Sequence, residues 1–316
     1  MPYSAADDQT HASDPEKAVM QQPSQVPAEH ALARRRSKVV TAAEAAAMVA
    51  NGSTVALGGW TFYNTPMAVI RAMIRNGSSG LRLVSSPGAI GPDLLIAAGC
   101  LAELVTPFIT MEQFGLAPAF RGAVKDQKLK VSEIDGPGLA ASLRAAADDL
   151  PFGLIHDLGT DLPGVNPEMY RPFSHEYAPD AHLLAVPAVI PDVALIHAQR
   201  GDEYGNLQFL GATFFDQLIA RAARVVIASV DELVSSEELT RHPQRTKIPG
   251  FQVTAVVPVS HGAHPCGSQG LYAPDLQHLQ TYAQLAASAA GRGKYLDQFV
   301  LGCADEAAYQ TAVAEG

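Results

Sequence analysis

From Val39 onward, short apolar runs alternate with segments that carry a helical pattern. The runs Thr54–Leu57 and Leu81–Ser85 have the length of buried strands, and a helix that begins after a proline is predicted over residues 67–74. Strands that are apolar on both faces and separated by helices are typical of a mostly parallel sheet covered on both sides. The sequence therefore predicts a three-layer α/β fold, with a mostly parallel sheet and helices on both faces.

The same alternation continues to residue 290. Thr41 and Glu44 have the spacing of a capping box at the start of an Ala-rich helix. The proline-containing stretch 159–181 is predicted to be the longest irregular segment, and loops of that length are often functional. Further strands are predicted at residues 104–105, 129–134, 183–186, 193–196, 225–228 and 253–257, and further helices at 94–98, 117–124, 139–147, 214–222 and 276–290.

Residues 1–37 show neither a helical nor a strand period. We expect them to form a flexible N-terminal extension, followed by one domain over residues 38–316; an arm that docks on a partner is the alternative. The leader lacks the apolar segment of a signal peptide, and no run of about 18 apolar residues occurs, so no membrane association is predicted. Three widely spaced cysteines without a CxxC motif agree with a reducing compartment. The predicted location is the cytoplasm.

The charge of the chain argues against nucleic-acid binding. Hydrophobic residues make up 47% of the 316 residues, enough for a substantial core, and the formal net charge is −10. The basic cluster at residues 34–38 lies in the polar leader, whereas nucleic-acid binders usually carry a basic patch or stripe. An anionic small molecule is still compatible with an acidic protein, because backbone amides and a few cations can hold phosphates.

The first candidate site is the turn Gly58-Gly59-Trp60, between a predicted strand and a predicted helix. Glycine allows positive φ and close approach of a ligand, and free amides near a helix start favour an anion or a developing oxyanion. The Gly-x-Gly-x-x-Gly pattern of dinucleotide-binding proteins is missing. A tight turn without a ligand is the simpler interpretation. The aromatic residues Trp60, Phe62 and Tyr63 fit an acyl pocket and a core equally well.

A second candidate is the loop that follows the predicted strand 193–196. It contains Asp202, Gly205 and Asn206, and open α/β sheets bind ligands at loops that follow the carboxyl ends of strands. The alternative is a hairpin-like connection in which Asp202 and Asn206 bond to their own backbone. The residues alone favour this alternative.

The spacing of His261, His264 and Cys266 suggests metal ligation. Zinc sites usually have four ligands, or three with a water, in recognised spacings, and no second pair follows here. No metal is predicted, and turn residues on a loop are the preferred interpretation. Many glutamates are present, but nothing local marks one of them as an activated nucleophile. The motifs of serine hydrolases, P-loop proteins and zinc peptidases are missing.

Ten segments in register resemble the family I CoA-transferases, in particular the A (alpha) subunit of the glutaconate CoA-transferase type. The resemblance covers residues 39–290, roughly. The segments that carry it are Val55-Ala56-Leu57-Gly58-Gly59 with Pro66-Met67-Ala68 and Ile70-Arg71; Leu83-Val84-Ser85; Gly115-Leu116-Ala117-Pro118-Ala119-Phe120-Arg121; Leu143-Arg144-Ala145-Ala146-Ala147 with Leu150-Pro151-Phe152; Leu158-Gly159-Thr160-Asp161-Leu162 with Asn166-Pro167; Ala185-Val186-Pro187-Ala188; Pro191-Asp192-Val193-Ala194-Leu195-Ile196-His197; Asp202 with Gly205-Asn206; Ile248-Pro249-Gly250-Phe251; and Gly262-Ala263-His264-Pro265.

The resemblance implies transfer of CoA from an acyl-CoA to a free carboxylic acid, with no cofactor besides the CoA thioester that is the substrate. In such enzymes the nucleophilic glutamate belongs to the B (beta) half. This chain resembles the A half, so no catalytic residue is assigned to it. The implied partner is a beta-type CoA-transferase subunit, in a hetero-oligomer. The residues expected to contact substrate or CoA are Gly58, Gly59, Trp60, Ser85, Asp202, Gly205 and Asn206.

Two further interpretations stay open on the same fold. Some relatives hydrolyse ring-opened steroid CoA thioesters, with an acidic residue just before the helix that is predicted to start here near Leu139. This chain has Gly136 at the expected position, with Asp135 beside it, and that departure weakens the hydrolase interpretation. A non-catalytic protein that binds CoA esters is the third interpretation, because a fold alone does not fix a function.

Overall fold

Twelve strands in two sheets organise residues 35–315, which are the residues that the computed structural model describes. The strands are β1 Thr54–Leu57, β2 Leu81–Ser85, β3 Leu101–Thr106, β4 Lys130–Glu133, β5 Phe152–His156, β6 Arg171–His175, β7 Ala178–Pro187, β8 Val193–Gly201, β9 Leu207–Gln208, β10 Val225–Leu233, β11 Thr246–Ile248 and β12 Ala255–Pro258. The helices are α1 Ala42–Ala47, α2 Met67–Arg75, α3 Ile90–Ala97, α4 Pro118–Lys125, α5 Gly136–Ala147, α6 Leu162–Val165, α7 Asp216–Ala222, α8 Ser236–Thr240, α9 Leu276–Ala286, α10 Ala289–Leu296 and α11 Glu306–Glu315. Within these residues, no helix combines the length and the apolar character needed to cross a membrane.

The larger sheet contains seven parallel strands in the order β12-β10-β8-β1-β2-β3-β4. Two short strands, β9 and β11, extend it in antiparallel fashion from the end of β8. Alternate residues of each strand face opposite layers. On β1, Val55 and Leu57 join the core formed with α1, α2, α3 and the C-terminal helices, whereas Ala56 joins the core formed with α5 and α7. The predicted three-layer, mostly parallel fold is confirmed.

The chain changes its direction of travel through the sheet beside β1. The strands β2, β3 and β4 follow on one side, and the chain then returns to place β8, β10 and β12 on the other side. Val55 of β1 accordingly pairs with Leu83 of β2 and with Val193 of β8. Open parallel sheets bind ligands beyond the carboxyl ends of their strands at such a switch point. The residues that follow Leu57 therefore lie where a ligand site is expected.

The stretch 159–181 was predicted to be irregular, and that prediction is wrong. Its residues supply α6, β6 and the start of β7, and β7 pairs antiparallel with both β5 and β6 in the smaller sheet. Pro172 lies on the edge strand β6, and Pro179 lies within a register shift between β6 and β7. Edge strands and bulges are the sheet positions that tolerate proline. The prolines therefore made these strands resemble an irregular segment in the sequence.

The closing helix predicted over residues 276–290 is in fact two helices. The first ends at Ala286, and Ser288 caps the second by accepting a hydrogen bond from the N–H of Gly291. A π-helical turn, Asp297–Leu301, and α11 follow. These C-terminal elements pack into the same core as β1 and α2.

The chain enters the larger sheet at Lys38 and Val39. The N–H of Lys38 donates to the carbonyl of Glu203 at 2.8 Å, and Val39 forms a parallel bridge with Val256. From Ser37 onward the residues form one compact unit. Most of the predicted N-terminal extension, residues 1–34, lies outside the described residues, so the extension stays a prediction.

Acidification is expected to destabilise the C-terminal helices through His278. This side chain is buried, with Nε2 2.8 Å from the Tyr295 hydroxyl oxygen, and burial together with the nearby His264 lowers the pKa of His278 to about 4. An unfolded chain protonates His278 below pH ~6.5, whereas the folded chain resists protonation down to about 4. The contribution of His278 alone to the free energy of unfolding should therefore fall by about 3 kcal/mol between these pH values.

Urea unfolding at pH 7.0, 5.5 and 4.5 measures this effect. Relative to the wild type, the His278→Phe variant should gain in urea midpoint as the pH falls, because it lacks the group whose protonation destabilises the folded chain. His242→Phe, at an exposed position, is the control and should follow the wild type. An equal decrease in the wild type and in His278→Phe would contradict the assignment.

Candidate functional site

The backbone amides of the turn after β1 donate hydrogen bonds to other groups of the same chain. The N–H of Gly58 donates to the carbonyl of Leu195 at 2.8 Å, and the N–H of Gly59 donates to Asp216 Oδ1 at 3.0 Å. The next amide, that of Trp60, donates to the carbonyl of Tyr63. The expectation that free amides of Gly58 and Gly59 face an anion is therefore wrong in this conformation.

Packing explains why both turn residues are glycines. A Cβ on Gly58 would overlap Asp216 Oδ1, and a Cβ on Gly59 would lie 2.6 Å from the carbonyl oxygens of Tyr63 and Asn64. Gly59 also has φ +81°, a conformation that side-chain-bearing residues rarely adopt. The glycines thus allow the turn to close over Asp216, which lies 157 residues further along the chain.

Unusual backbone conformations surround this turn. Thr61, Asn64 and Phe214 have φ values of 44°, 55° and 43°. Asn64 is fully buried, and its Oδ1 accepts hydrogen bonds from Gln199 Nε2 at 2.9 Å and from the N–H of Gln269 at 3.1 Å. Strained residues of this kind persist only where the surroundings hold them, and they concentrate at functional sites.

The aromatic residues of the turn have different environments. Phe62 is 4% exposed and belongs to the core, whereas Tyr63 is 36% exposed. Trp60 is half-buried, and its ring stacks on Phe214 and Phe215 with centroid distances of 5.6 and 6.4 Å. Trp60 and Tyr63 therefore remain accessible to a ligand, and Phe62 does not.

Ser85 ends β2 close to this turn, but its hydroxyl is buried and donates to the carbonyl of Ser86 at 2.8 Å. The neighbouring hydroxyl of Ser86 donates to the carbonyl of Gly59, also at 2.8 Å. Ser86, which the sequence did not single out, is thus the serine that contacts the glycine turn. Gly58, Gly59, Trp60 and Ser85 come together at the switch point, and their contact with a ligand stays a prediction.

Asp216 is the site residue that the sequence did not reveal. It is fully buried at the start of α7, and burial raises the pKa of its carboxyl group to about 8. Its Oδ1 accepts the Gly59 N–H, and its Oδ2 has no hydrogen-bond partner among residues 35–315. In the sequence Asp216 resembles any acidic residue in the first turn of a helix, so only the tertiary contact with Gly59 identifies it.

The other predicted group, Asp202, Gly205 and Asn206, lies elsewhere. The N–H of Gly58 donates to the carbonyl of Leu195 on β8, and Asp202 directly follows the end of β8, seven residues after Leu195. At the rise of an extended strand, the glycine turn and the Asp202 group are therefore roughly 20 Å apart. The Asp202 carboxylate accepts hydrogen bonds from the N–H of Tyr204 and from the N–H and side chain of Asn206. This arrangement matches the hairpin-like alternative, and a binding role for the three residues stays a prediction.

The side chains with the spacing of metal ligands point to different partners. His264 lies between the Tyr309 hydroxyl and Asp275, and His261 stacks on Tyr272 at a centroid distance of 4.6 Å. Cys266 is fully buried, and burial raises the pKa of its thiol to about 12. No group of three His, Cys, Asp or Glu side chains within residues 35–315 is arranged to hold a metal ion.

A buried Ser-His-Asp set lies between β8 and β10. The ring of His197 is 2.9 Å from Ser229 Oγ through Nδ1 and 2.9 Å from Asp231 Oδ2 through Nε2. His197 and Ser229 are both 0% exposed, so this set cannot meet a substrate as the hydrolytic triads do. It cross-links two neighbouring strands.

The carboxylate beside the position expected to be acidic in a hydrolase has a structural role. Asp135 caps α5 by accepting a hydrogen bond from the N–H of Gly138 at 2.8 Å, and it also accepts one from the Tyr170 hydroxyl at 2.9 Å. Asp135 therefore holds the helix start through Oδ1.

Comparison with known proteins identifies the class to which this fold and turn belong. The sequence profile of the family described as coenzyme A transferase matches residues 39–258. The chain belongs to the coenzyme A transferase family. Within that family it is of the alpha (A) type, as its similarity to proteins named as A subunits shows.

Individual relatives agree with this membership. The A subunit of 3-oxoadipate CoA-transferase from Pseudomonas knackmussii is 33% identical, over 85% of this chain and 95% of that protein. The crystal structure of glutaconate coenzyme A-transferase from Acidaminococcus fermentans superposes with a TM-score of 0.82 at 28% identity, over 88% of this chain and 93% of that one. A second crystal structure, that of a variant of the decarboxylase AibA/AibB, superposes with a TM-score of 0.73 at 32% identity, over 83% of this chain and 99% of that one.

Two other relatives have a different length or name. A protein of Archaeoglobus fulgidus is 33% identical over 85% of this chain, but the match spans 60% of that longer protein. The cholesterol ring-cleaving hydrolase IpdA subunit of Rhodococcus jostii is 30% identical, over 88% of this chain and 96% of that protein. Relatives of this chain are thus named both as CoA-transferases and as hydrolases.

Proposed function

We propose that this chain is the A subunit of a heteromeric CoA-transferase that moves CoA from an acyl-CoA to a free carboxylic acid. The reaction would take place in the cytoplasm, and a beta-type partner subunit would complete the active site. Trp60 and the residues around the Gly58-Gly59 turn would form one wall of the cleft, with Ser85 behind it.

The supporting observation is the accessibility of the groups at the switch point. Trp60 and Tyr63 are partly exposed there, whereas the carboxyl group bonded to the turn, that of Asp216, is 0% exposed. A carboxylate must reach the thioester carbonyl to attack it, and Asp216 cannot do so from below the turn. The turn thus offers no nucleophile of its own, which supports a nucleophile on another chain.

The chemistry then divides between the two subunits. A glutamate of the partner attacks the acyl-CoA carbonyl, giving a mixed anhydride and CoA thiolate, and the thiolate attacks the glutamyl carbonyl to release the first acid. The acceptor carboxylate then attacks the carbonyl of the glutamyl-CoA thioester, giving a second mixed anhydride and CoA thiolate. The thiolate attacks the acyl carbonyl of this anhydride, which forms the new acyl-CoA and regenerates the glutamate. The A subunit contributes binding of the CoA ester, orientation of its carbonyl and exclusion of water.

Co-expression with a beta-type partner from the same organism tests the division of labour. The purified pair is expected to exchange labelled CoA between an acyl-CoA and a free acid. The chain alone should give no exchange, because its own carboxyl group at the turn is buried. Exchange by the chain alone at the rate of the pair would overturn the proposal.

Hydrolysis is the second candidate, since a relative at 30% identity is named as a ring-cleaving hydrolase. A hydrolase would release free CoA thiol from an acyl-CoA without any acceptor acid. The glycine at position 136, where an acid is expected in a hydrolase, favours the transferase, and Oδ1 of the neighbouring Asp135 is engaged at the helix start. A thiol assay of the pair, with and without an added carboxylic acid, separates the two functions.

A further inference from the structure

Asp216 occupies an unusual position for a carboxyl group. It lies beneath the Gly58-Gly59 turn at the switch point of the sheet, with one oxygen bonded to the Gly59 N–H and the other without a partner among residues 35–315. Buried polar atoms in native proteins nearly always have a partner, so an exception needs an explanation. The position itself, under a turn that carries the accessible Trp60, suggests one.

The turn and the residues around Asp216 form a connected unit. Gly59, which Asp216 holds, directly precedes Trp60, and the Trp60 ring stacks on Phe214 and Phe215, which directly precede Asp216. The N–H of Asp216 also donates to the carbonyl of Thr213 at 2.7 Å. A shift of the carboxyl group would therefore be transmitted to the Trp60 side chain both through Gly59 and through the two phenylalanines.

We propose that Asp216 is a positioning residue of the cleft: by holding the Gly59 N–H from below, it sets where Trp60 stands against a bound acyl-CoA. This inference rests on the proposed function, because it takes the switch point as the place where the CoA ester binds. Asp216 itself does not touch the substrate, since it is 0% exposed.

The choice of an acid at this position has a cost that points to function. Burial raises the pKa of Asp216 to about 8, so the folded chain holds a neutral acid at pH 7, where the unfolded chain holds a carboxylate. Each pH unit between the unfolded pKa of 3.8 and the folded pKa of about 8 then favours the unfolded state by about tenfold. Asparagine has the same shape, keeps the acceptor for Gly59 and avoids this cost. Acids with raised pKa values that persist despite such a cost concentrate at functional sites.

Ionisation gives the positioning role a measurable signature. The pKa is raised by burial, which outweighs the backbone hydrogen bonds, and no charged side chain contributes. Titratable groups on the neighbouring elements have other partners: on α7, Arg221 pairs with Asp148, and on β8, His197 bonds to Asp231. A carboxylate at Asp216 would thus lack a counter-charge, and water would have to enter beneath the turn to solvate it. The turn must open for that, which moves Trp60 into a wetter environment.

Trp60 is the single tryptophan of the chain, so its fluorescence reports on this turn alone. In the full chain without a partner, excited at 295 nm, the emission maximum is expected to move to longer wavelength between pH 6.5 and 9.5, with a midpoint near 8. Asp216→Asn should keep the low-pH spectrum throughout. Asp93→Asn is the matched control, because Asp93 is another buried acid, bonded to Tyr282 on α9, and this variant should retain the wild-type transition. A flat wild-type titration, or a transition that persists in Asp216→Asn, would overturn the proposal.

The reconstituted pair supplies the second readout. The KM for the acyl-CoA should rise about tenfold as the wild-type pair passes from pH 7 to pH 9, with little change in kcat, whereas the Asp216→Asn pair should show a constant KM. A fluorescence transition without any change in KM would overturn the positioning role. If no pair shows CoA exchange or release, the proposed function has failed, and the fluorescence titration still decides whether Asp216 sets the turn.

Discussion

Gly59→Ala is expected to lower the stability of the protein severely. The new Cβ would lie 2.6 Å from two backbone carbonyl oxygens, those of Tyr63 and Asn64, and the residue would have to keep φ +81°. Backbone atoms cannot move aside as a flexible side chain does, so the clash adds to the strain of the left-handed conformation. The free energy of unfolding should fall by roughly 3 kcal/mol or more. The urea midpoint, with the m-value unchanged, measures the loss.

Gly77→Ala is the matched control for this prediction. Gly77 has φ +75°, nearly the same as Gly59, but a Cβ built on it meets no atom within 4 Å. Its substitution should cost about 1 kcal/mol, the strain of the backbone conformation alone. Equal losses for Gly59→Ala and Gly77→Ala would show that the carbonyls of Tyr63 and Asn64 do not crowd position 59.

Glu306→Gln is expected to have the second large effect, by leaving two guanidinium groups without their counter-charge. Glu306 on α11 bonds to the Nε of Arg71 at 3.0 Å and to the Nη2 of Arg75 at 2.9 Å, and Arg71 is 1% exposed. Removing one partner of a buried ion pair strands the other charge in a poorly solvated place. The expected loss of stability is about 3–5 kcal/mol.

The exposed pair of Arg241 and Glu238 supplies the comparison. Their side chains are 64% and 39% exposed, and Nη1 of Arg241 is 2.8 Å from Oε2 of Glu238. Glu238→Gln should change the free energy of unfolding by no more than about 0.5 kcal/mol, because water solvates both charges. Similar shifts of the urea midpoint for Glu238→Gln and Glu306→Gln would contradict the buried character of the Arg71 pair.

Local signals in the sequence were sufficient for much of the fold. The strand Thr54–Leu57 has the bounds that its apolar run predicted, and the capping box of Thr41 and Glu44 forms as expected. The predicted helix over residues 214–222 begins two residues later, at Asp216, since Phe214 has a positive φ that no right-handed helix allows. Each of these features depends on neighbours within a few residues, which is why a pattern can predict them.

The contacts that define the candidate site depend on residues far apart in the chain. Gly59 was singled out as a turn residue, but Asp216 beneath it lies 157 positions away, and no pattern in the sequence joins the two. The amides of the turn were expected to be free. Their acceptors, Leu195 and Asp216, lie on distant elements, so the sequence around the turn gives no sign of them. Sequence patterns located the turn, and tertiary packing determined what its groups can do.

The neighbours of β1 have a consequence for the order in which the protein is synthesised. One edge of β1 is covered by β2, which follows closely, but the other edge waits for β8; the flanking contact between Thr54 and Asp192 spans 138 residues. Until β8 leaves the ribosome, the nascent chain therefore carries an apolar strand with an open edge, the kind of segment that invites aggregation. The Gly58-Gly59 turn closes later still, when Asp216 emerges.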